Sequence, residues 1–97
     1  MNTASSSAHC SLAEGVTWLV EEHGILVIDE LSRRSQLLQY PEAAVWDLLV
    51  RGHGTRRAAT LLRWILAIPE PTAETLIKNC LQEWSDAGWL CESDQEG

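Results

Sequence analysis

The sequence predicts an α+β fold in which three antiparallel strands are followed by three helices. Before residue 41, short runs of branched apolar residues alternate with turn residues, which is typical of strands. After residue 41, the apolar residues recur at helical spacing. The chain has 97 residues and no internal repeat, so we expect one main domain.

The predicted strands follow one another with short connections, as in a meander. Val16–Glu21 alternates apolar and polar residues, and Ile25–Asp29 is a continuous run of branched apolar residues. Gly24 supplies the tight turn between them. The polar turn 31–34 leads into a third strand, Ser35–Tyr40. This strand comes last in the meander, and we therefore expect it to be an edge strand.

The second half of the chain is predicted to be helical. Pro41 suits the first turn of a helix over Glu42–Arg51. Thr55 is a predicted N-cap for a second helix that runs to about Leu66. Ile68–Pro71 is predicted to be a rigid loop, and Thr72 is a predicted N-cap for a third helix that ends near Ala87.

The third helix carries an apolar stripe that is wider than packing against one neighbour requires. The stripe consists of Ala73, Leu76, Ile77, Cys80, Leu81, Trp84 and Ala87. Ile77, Leu81 and Trp84 are assigned to the core, as is Trp46 of the first helix. The other flank of the stripe remains for a second contact.

The two ends of the chain differ in composition from its middle. Residues 1–14 are rich in Ser and Ala and are predicted to be disordered, and residues 92–97 are predicted to be an acidic tail. The domain itself is placed at residues 15–91. Since the N-terminus resembles no signal peptide and no apolar run is long enough for a membrane span, we expect a cytoplasmic protein without a membrane partner.

Charge and cysteine content exclude several classes of protein. The net charge is −7 and the pI is about 4.7, which argues against non-specific binding of nucleic acid or anionic membranes. The three cysteines form no Cys-x-x-Cys motif, and the three histidines are not at metal-ligand spacing. We therefore predict reduced thiols, no metal and no cofactor.

Catalytic patterns are also weak. A nucleophile needs a nearby base, and Cys80 with His53 is the pair to consider. Cys80 belongs to the apolar stripe, which favours the role of a small buried residue. No glycine-rich phosphate loop is present. The sequence predicts a protein that is not an enzyme.

Two binding functions remain. The second helix begins with Arg56 and Arg57 and carries Arg63, basic residues of the kind that a DNA-recognition helix requires. The third helix is acidic instead, with Glu74, Glu83 and Asp86. A solvated basic face on an acidic protein is the interpretation that we favour for these arginines.

The other function is capture of a peptide by strand addition. An edge strand at Ser35–Tyr40 would offer unpaired backbone groups, and the spare flank of the third helix would form the wall of a groove. The composition of the chain leaves two alternatives open: the strand pairs with a second copy of the chain, or the N-terminal segment covers it. A homodimer is therefore among the expected states.

Over about Val16 to Leu90, the sequence resembles the PqqD-like proteins, which are also called RiPP recognition elements. The most specific part is the segment that starts at Leu38-Gln39 and continues through Ala43-Ala44 and Val45-Trp46 to Leu48-Leu49. Further matches are Gly52, Thr55, Ile77, Leu81, Trp84, Gly88 and Leu90, together with the strand Gly24–Asp29. Gln39 replaces the Asn that is usual in the family.

The resemblance implies a winged-helix-like fold and a specific role. Such proteins bind the leader region of a ribosomally made precursor peptide as an added strand. They then present the peptide to a modifying enzyme, in the PqqD case a radical S-adenosylmethionine enzyme. For this chain we accordingly expect a peptide chaperone of natural-product biosynthesis, with a DNA-binding regulator as the alternative.

The predicted peptide-binding residues come from two elements. On the strand side they are Arg34, Ser35, Gln36, Leu37, Leu38, Gln39 and Tyr40. On the third helix they are Leu76, Asn79, Cys80, Glu83 and Ala87. Arg33 and Arg34 are candidates for pairing with an acidic leader.

Overall fold

The computed structural model of the protein describes residues 9–93. The strands are β1 (His9–Leu12), β2 (Val16–Glu21), β3 (Gly24–Asp29), β4 (Arg34–Leu38) and β5 (Leu90–Ser93). The helices are α1 (Glu42–Val50), α2 (Thr55–Leu66) and α3 (Glu70–Asp86). The predicted order of three strands and then three helices is confirmed.

The main sheet is an antiparallel meander in the order β2-β3-β4. Ile25 to Asp29 of β3 are paired on both sides, and Gly24 is paired with Glu21 of β2 alone. The side chains of Ile25, Val27 and Asp29 are buried against the helices, whereas those between them are half-buried. β3 is therefore the central strand, and β2 and β4 are the two edges.

The turn from β3 into β4 is shaped by one side chain. Oδ1 of Asp29 accepts hydrogen bonds from the backbone N–H of Leu31 (3.1 Å) and of Ser32 (3.4 Å). Arg33 then adopts the left-handed conformation, with φ of 62°. An Asx-type turn of this kind reverses the chain without leaving backbone donors unpaired.

Gly24 lies where the backbones of β3 and β4 approach most closely. A Cβ at this position would lie 2.0 Å from the carbonyl oxygen of Leu38. No side chain fits in that space, so glycine is required here for the end of β4 to reach its position beside β3.

A second, two-stranded sheet joins the beginning and the end of the described chain. β1 pairs antiparallel with β5, from Leu12 opposite Leu90 to His9 opposite Ser93. The N–H of Ala13 also donates to the carbonyl of Trp89 at 2.8 Å. These strands extend into both terminal segments for which we predicted no structure. Residues 1–8 and 94–97 lie outside the described residues.

The core is built around Trp46 of α1. Its ring makes edge contacts with Trp84 of α3 at a centroid distance of 5.1 Å and with Trp89 at 6.1 Å. Such edge contacts are a favoured geometry for aromatic pairs. Trp46, Trp84 and Ile77 are buried, as predicted, and Leu81 packs against them while half-buried.

Two predicted helix starts are wrong. The N-cap of α2 is Gly54 rather than Thr55, which is the first helical residue. α3 begins at Glu70, two residues before the predicted cap Thr72, because Pro71 is accommodated in the first turn. The segment before Thr72 that we interpreted as a loop is thus partly helix.

Candidate functional site

β4 is an open edge of the main sheet. Arg34, Ser35, Gln36 and Leu37 are exposed, and only the side chain of Leu38 is buried. Within the described part of the chain, β4 packs closely on β3 and has no comparable packing against α3. In an edge strand, alternate residues direct their N–H and C=O groups away from the sheet. β4 therefore has backbone groups that another strand can pair with.

The helix-facing side of β4 is uncovered over most of its length. Gln36 lies opposite Val27 and shares its face of the sheet, but Val27 is fully buried whereas Gln36 is exposed. Arg34, opposite the buried Asp29, is exposed in the same way. The core thus ends beneath β3 along this half of the sheet and leaves space beside β4.

α3 divides into a buried face and a polar flank. Its buried residues are Ala73, Ile77, Cys80 and Trp84. Leu76 is half-buried at the boundary, and Asn79 and Glu83 are exposed on the same flank. Leu76 and Asn79 also border a shallow groove together with the start of α3. α3 packs against α1, α2 and β5 and is held in place on that side.

Cys80 of α3 lies in a buried environment with acidic groups nearby. Burial, together with smaller contributions from the carboxylates of Glu42 and Glu83, raises the pKa of the Cys80 thiol to about 12. Glu42 is the first residue of α1, four positions after the end of β4. Cys80 therefore lies on the side of α3 that faces the start of α1, and the position of the Asn79–Glu83 flank relative to β4 stays a prediction.

Cys80 requires a correction. It was predicted to form part of the groove wall, but it is 2% exposed and belongs to the core. Because its pKa is raised to about 12, the thiol remains protonated at neutral pH and is a poor nucleophile. The interpretation of Cys80 as a small buried residue agrees with this environment.

The strand-side residues also differ in their placement. The strand starts at Arg34 and ends at Leu38, so Gln39 and Tyr40 are outside it. The carbonyl of Gln39 accepts a hydrogen bond from Ala43 and thus belongs to the entry into α1. Leu38 was predicted as a contact, but it is 3% exposed, so neither its side chain nor its backbone is accessible. Ala87 is exposed at the C-terminal end of α3.

Tyr40 contributes to a different concave surface. It lines a depression of about 490 Å³ between the β2–β3 hairpin, α1 and α2. Val20 and Ile65 also line it, and all three of these side chains are largely exposed. The depression uses the α1 face that carries Ala44 and Asp47, whereas Trp46 on the other face contacts α3. This surface was not predicted from the sequence. The residues that could have indicated it are the apolar Val20 and Ile65, which the structure shows to be exposed.

No group of three or more His, Cys, Asp or Glu side chains within residues 9–93 is arranged to hold a metal ion. No helix in that part of the chain is both long and apolar enough to cross a bilayer.

The arginines of α2 do not form a separate charged site. Arg56 and Arg57 are exposed at its beginning, and Arg63 lies 3.9 Å from Glu70 of α3. This arrangement agrees with a solvated basic face on an acidic protein.

Comparisons with known proteins connect this fold to peptide complexes. The structure is similar to one described as lasso peptide synthetase B1 complexed with the leader peptide, with a TM-score of 0.80 and 19% identity over 87% of this chain and 99% of that one. It is also similar to TbiB1 in complex with the TbiA(beta) leader peptide, with a TM-score of 0.78 and 14% identity over 82% of this chain and 93% of that one. No protein-family model matches the sequence, and neither does any curated protein. The fold that the sequence resemblance implied is confirmed.

Proposed function

We propose that this protein binds the leader region of a ribosomally made precursor peptide, which is added as a strand to the free edge of β4. The observation that carries the proposal is the open edge itself, with exposed residues from Arg34 to Leu37 and an uncovered helix-facing side. Two proteins that share the fold were solved with leader peptides, which supports the same role here.

Strand addition divides affinity and specificity between backbone and side chains. The outward N–H and C=O groups of β4 pair with any extended peptide. β4 contains neither Pro nor Lys, the residues that commonly protect an edge from such pairing. Selectivity then comes from Arg34 and Gln36 on one side and from Leu76, Asn79 and Glu83 across the groove.

The predicted set of contacts is accordingly revised. Ser35 and Leu37 contribute their backbone, and Leu37 also contributes an exposed side chain, whereas the buried Leu38 is no longer a contact. Cys80 supports the groove from within the core. Gln39, Tyr40 and Ala87 stay as predicted contacts at the ends of the groove.

The second partner in this proposal is a modifying enzyme to which the bound peptide is presented. The radical S-adenosylmethionine type follows only from the sequence resemblance and stays a prediction, as does a homodimer. We propose a binding role without catalysis, and the buried, protonated Cys80 agrees with it. The comparisons do not favour the alternative of a DNA-binding regulator.

The test is a titration of the isotope-labelled protein with the leader segment of a precursor peptide encoded beside its gene. We expect saturable binding, with amide shifts at Arg34–Leu38 and along the Leu76–Glu83 flank of α3. The amides of β2, the opposite edge of the same sheet, are the internal control and should move least.

Other shift patterns would contradict the proposal. Shifts centred on β2 would assign the peptide to the wrong edge of the sheet. Saturable binding of duplex DNA with shifts confined to Thr55–Leu66 would instead support the regulator.

A further inference from the structure

The outer face of the main sheet carries a row of leucines that ends at the proposed docking edge. Leu19 of β2 lies opposite Leu26 of β3, and Leu26 lies opposite Leu37 of β4. Leu19 is 52% exposed, Leu37 is 38% exposed, and Leu26 between them is half-buried. The row faces away from the helices because Ile25 and Val27, which flank Leu26, are buried on the other face.

The helix-facing side of β4 has a different character at its beginning. Arg34 is exposed, and no carboxylate among the described residues lies within ion-pair distance of it. Its cross-strand partner Asp29 is engaged elsewhere, since one of its oxygens accepts the N–H groups of Leu31 and Ser32. Arg33 adds a second exposed positive charge at the same end.

A peptide strand added to β4 would extend the leucine row and would also place a side chain beside Arg34. In a regular ladder, each residue of the new strand lies opposite one residue of β4, and successive side chains alternate between the two faces. The residue opposite Leu37 would extend the leucine row on the outer face. The residue opposite Arg34 would lie three positions away, on the helix-facing side.

We propose that the peptide bound at β4 carries an apolar residue and an acidic residue three positions apart. This inference rests on the proposed function and specifies the class of peptide that the site selects. The apolar side chain covers Leu37, and the carboxylate pairs with Arg34. If the peptide runs antiparallel to β4, the apolar residue comes first in its sequence, and if it runs parallel, the acidic residue does.

The opposite edge strand, β2, lacks the positive charge that would attract the same peptide. Leu19 presents an apolar side chain at β2 much as Leu37 does at β4. The end of β2 is acidic, however, with Glu21 followed by Glu22, and these carboxylates repel an acidic peptide. The leucine row therefore has two ends, of which only the one at Leu37 has positive charge nearby on its own strand.

The experiment is a selection of random twelve-residue peptides displayed on their encoding nucleic acid and captured by the immobilised full chain. We expect the selected peptides to share an apolar and an acidic position at a spacing of three. Two variants then alter the selection separately. Arg34→Glu should replace the acidic preference by a basic one, and Leu37→Lys should replace the apolar preference by an acidic one.

Leu19→Lys is the matched control because it makes the same change at the other end of the same row. It should leave the selected pattern unchanged. For one selected peptide made synthetically, replacing either of the two positions by Ser should weaken binding by about twofold to fivefold. Circular dichroism of each variant establishes that the exposed substitutions leave the fold intact.

The outcomes separate this inference from the proposed function. Peptides that shift the β4 amides but lack the spacing, or that ignore Arg34→Glu, overturn the inference and leave strand addition standing. If no peptide is selected and the chain doubles its mass in light scattering, β4 pairs with a second copy, and both proposals fail. If the pattern follows Leu19→Lys instead, the peptide docks on β2, and both proposals fail as well.

Discussion

The two edges of the main sheet differ in what lies beside them. β2 begins with buried Val16 and half-buried Trp18, so the core covers its helix-facing side at that end. On β4, the helix-facing Arg34 and Gln36 are both exposed, and the core reaches only Leu38. One edge of the sheet is therefore partly closed by the protein itself, whereas the other is left open over nearly its whole length.

Charge reinforces this difference. β4 follows Arg33 and begins at Arg34, whereas β2 ends at Glu21 and is followed by Glu22. An acidic chain with a net charge of −7 repels most acidic peptides at a distance. A local basic end on one edge strand can overcome that repulsion only there. Exposure therefore makes an edge strand available, and local charge decides which peptides that strand attracts.

The largest expected effect is at Gly24, where β3 and the end of β4 meet. Gly24→Ala would place a methyl group 2.0 Å from the carbonyl oxygen of Leu38, so the end of β4 must move. We expect a loss of about 3 kcal/mol in the free energy of unfolding. Chemical denaturation measures it.

Gly52→Ala is the matched control for this substitution. Gly52 also has a positive φ, of 96°, but a Cβ there meets nothing within 4 Å. It should lose only about 1 kcal/mol, the usual cost of a side chain in that conformation. Equal losses in the two variants would show that β4 is not held closely against Gly24.

The next effect is a loss of leader binding that should occur for substitutions in β4 and not for those in β2. Ser35→Pro and Gln36→Pro each remove one backbone donor from β4, and in one of the two that donor faces away from β3. The variant that keeps its fold should bind the leader at least about tenfold more weakly, measured by calorimetry. If both variants fold and both bind the leader normally, strand addition at β4 is contradicted.

Leu19→Pro and Val20→Pro make the corresponding pair of changes on β2. Here the variant that remains folded should bind the leader as the natural sequence does. Weakened binding in that variant would move the docking site from β4 to β2.

The last effect is absent at neutral pH and concerns Cys80, a core residue of α3. The pKa of Cys80 is raised from 9.0 in the unfolded chain to about 12 in the folded protein. Above pH 9, the unfolded state loses this proton while the folded state keeps it, so folding stability falls as the pH rises towards 12. The contribution is fully present below pH 9.

The measurement compares the free energy of unfolding between pH 8 and pH 11 in the natural sequence and in Cys80→Ala. The natural sequence should lose more stability over this interval, because the variant has no thiol to titrate at that position. Parallel curves would indicate that Cys80 is accessible to water and that the base of the groove is open.

Much of the fold was predictable from local patterns. The continuous branched run in β3, the turn residue Gly24 and the helical spacing around Trp46 each depend on short-range periodicity. The pairing of β1 with β5 was not predictable, because it joins the two ends of the described chain through polar segments without a strand pattern. The start of α3 was placed two residues late because Pro71 was interpreted as part of a loop, although a first turn tolerates it.

The candidate site was predictable in outline and less so in detail. The last strand of a meander is an edge by topology, so the role of β4 followed from the order of the elements. Cys80 was predicted both as a small buried residue and as part of the groove wall, because the apolar stripe of α3 does not specify which of its members meet another element. The position of Tyr40 in the hairpin depression did not follow from the sequence either. Apolar periodicity alone shows which face of a helix is buried but not which element packs against it.

The sequence by itself therefore determined which segments are strands and helices, and that β4 is the last strand of the meander. It could do so because backbone conformation responds mainly to nearby residues. Only the tertiary structure decided that the core stops at β3 along half of the sheet, that Leu19, Leu26 and Leu37 form one row, and that Arg34 has no ion-pair partner among residues 9–93. Those features depend on register and on contacts between residues far apart in the chain, which local periodicity does not encode.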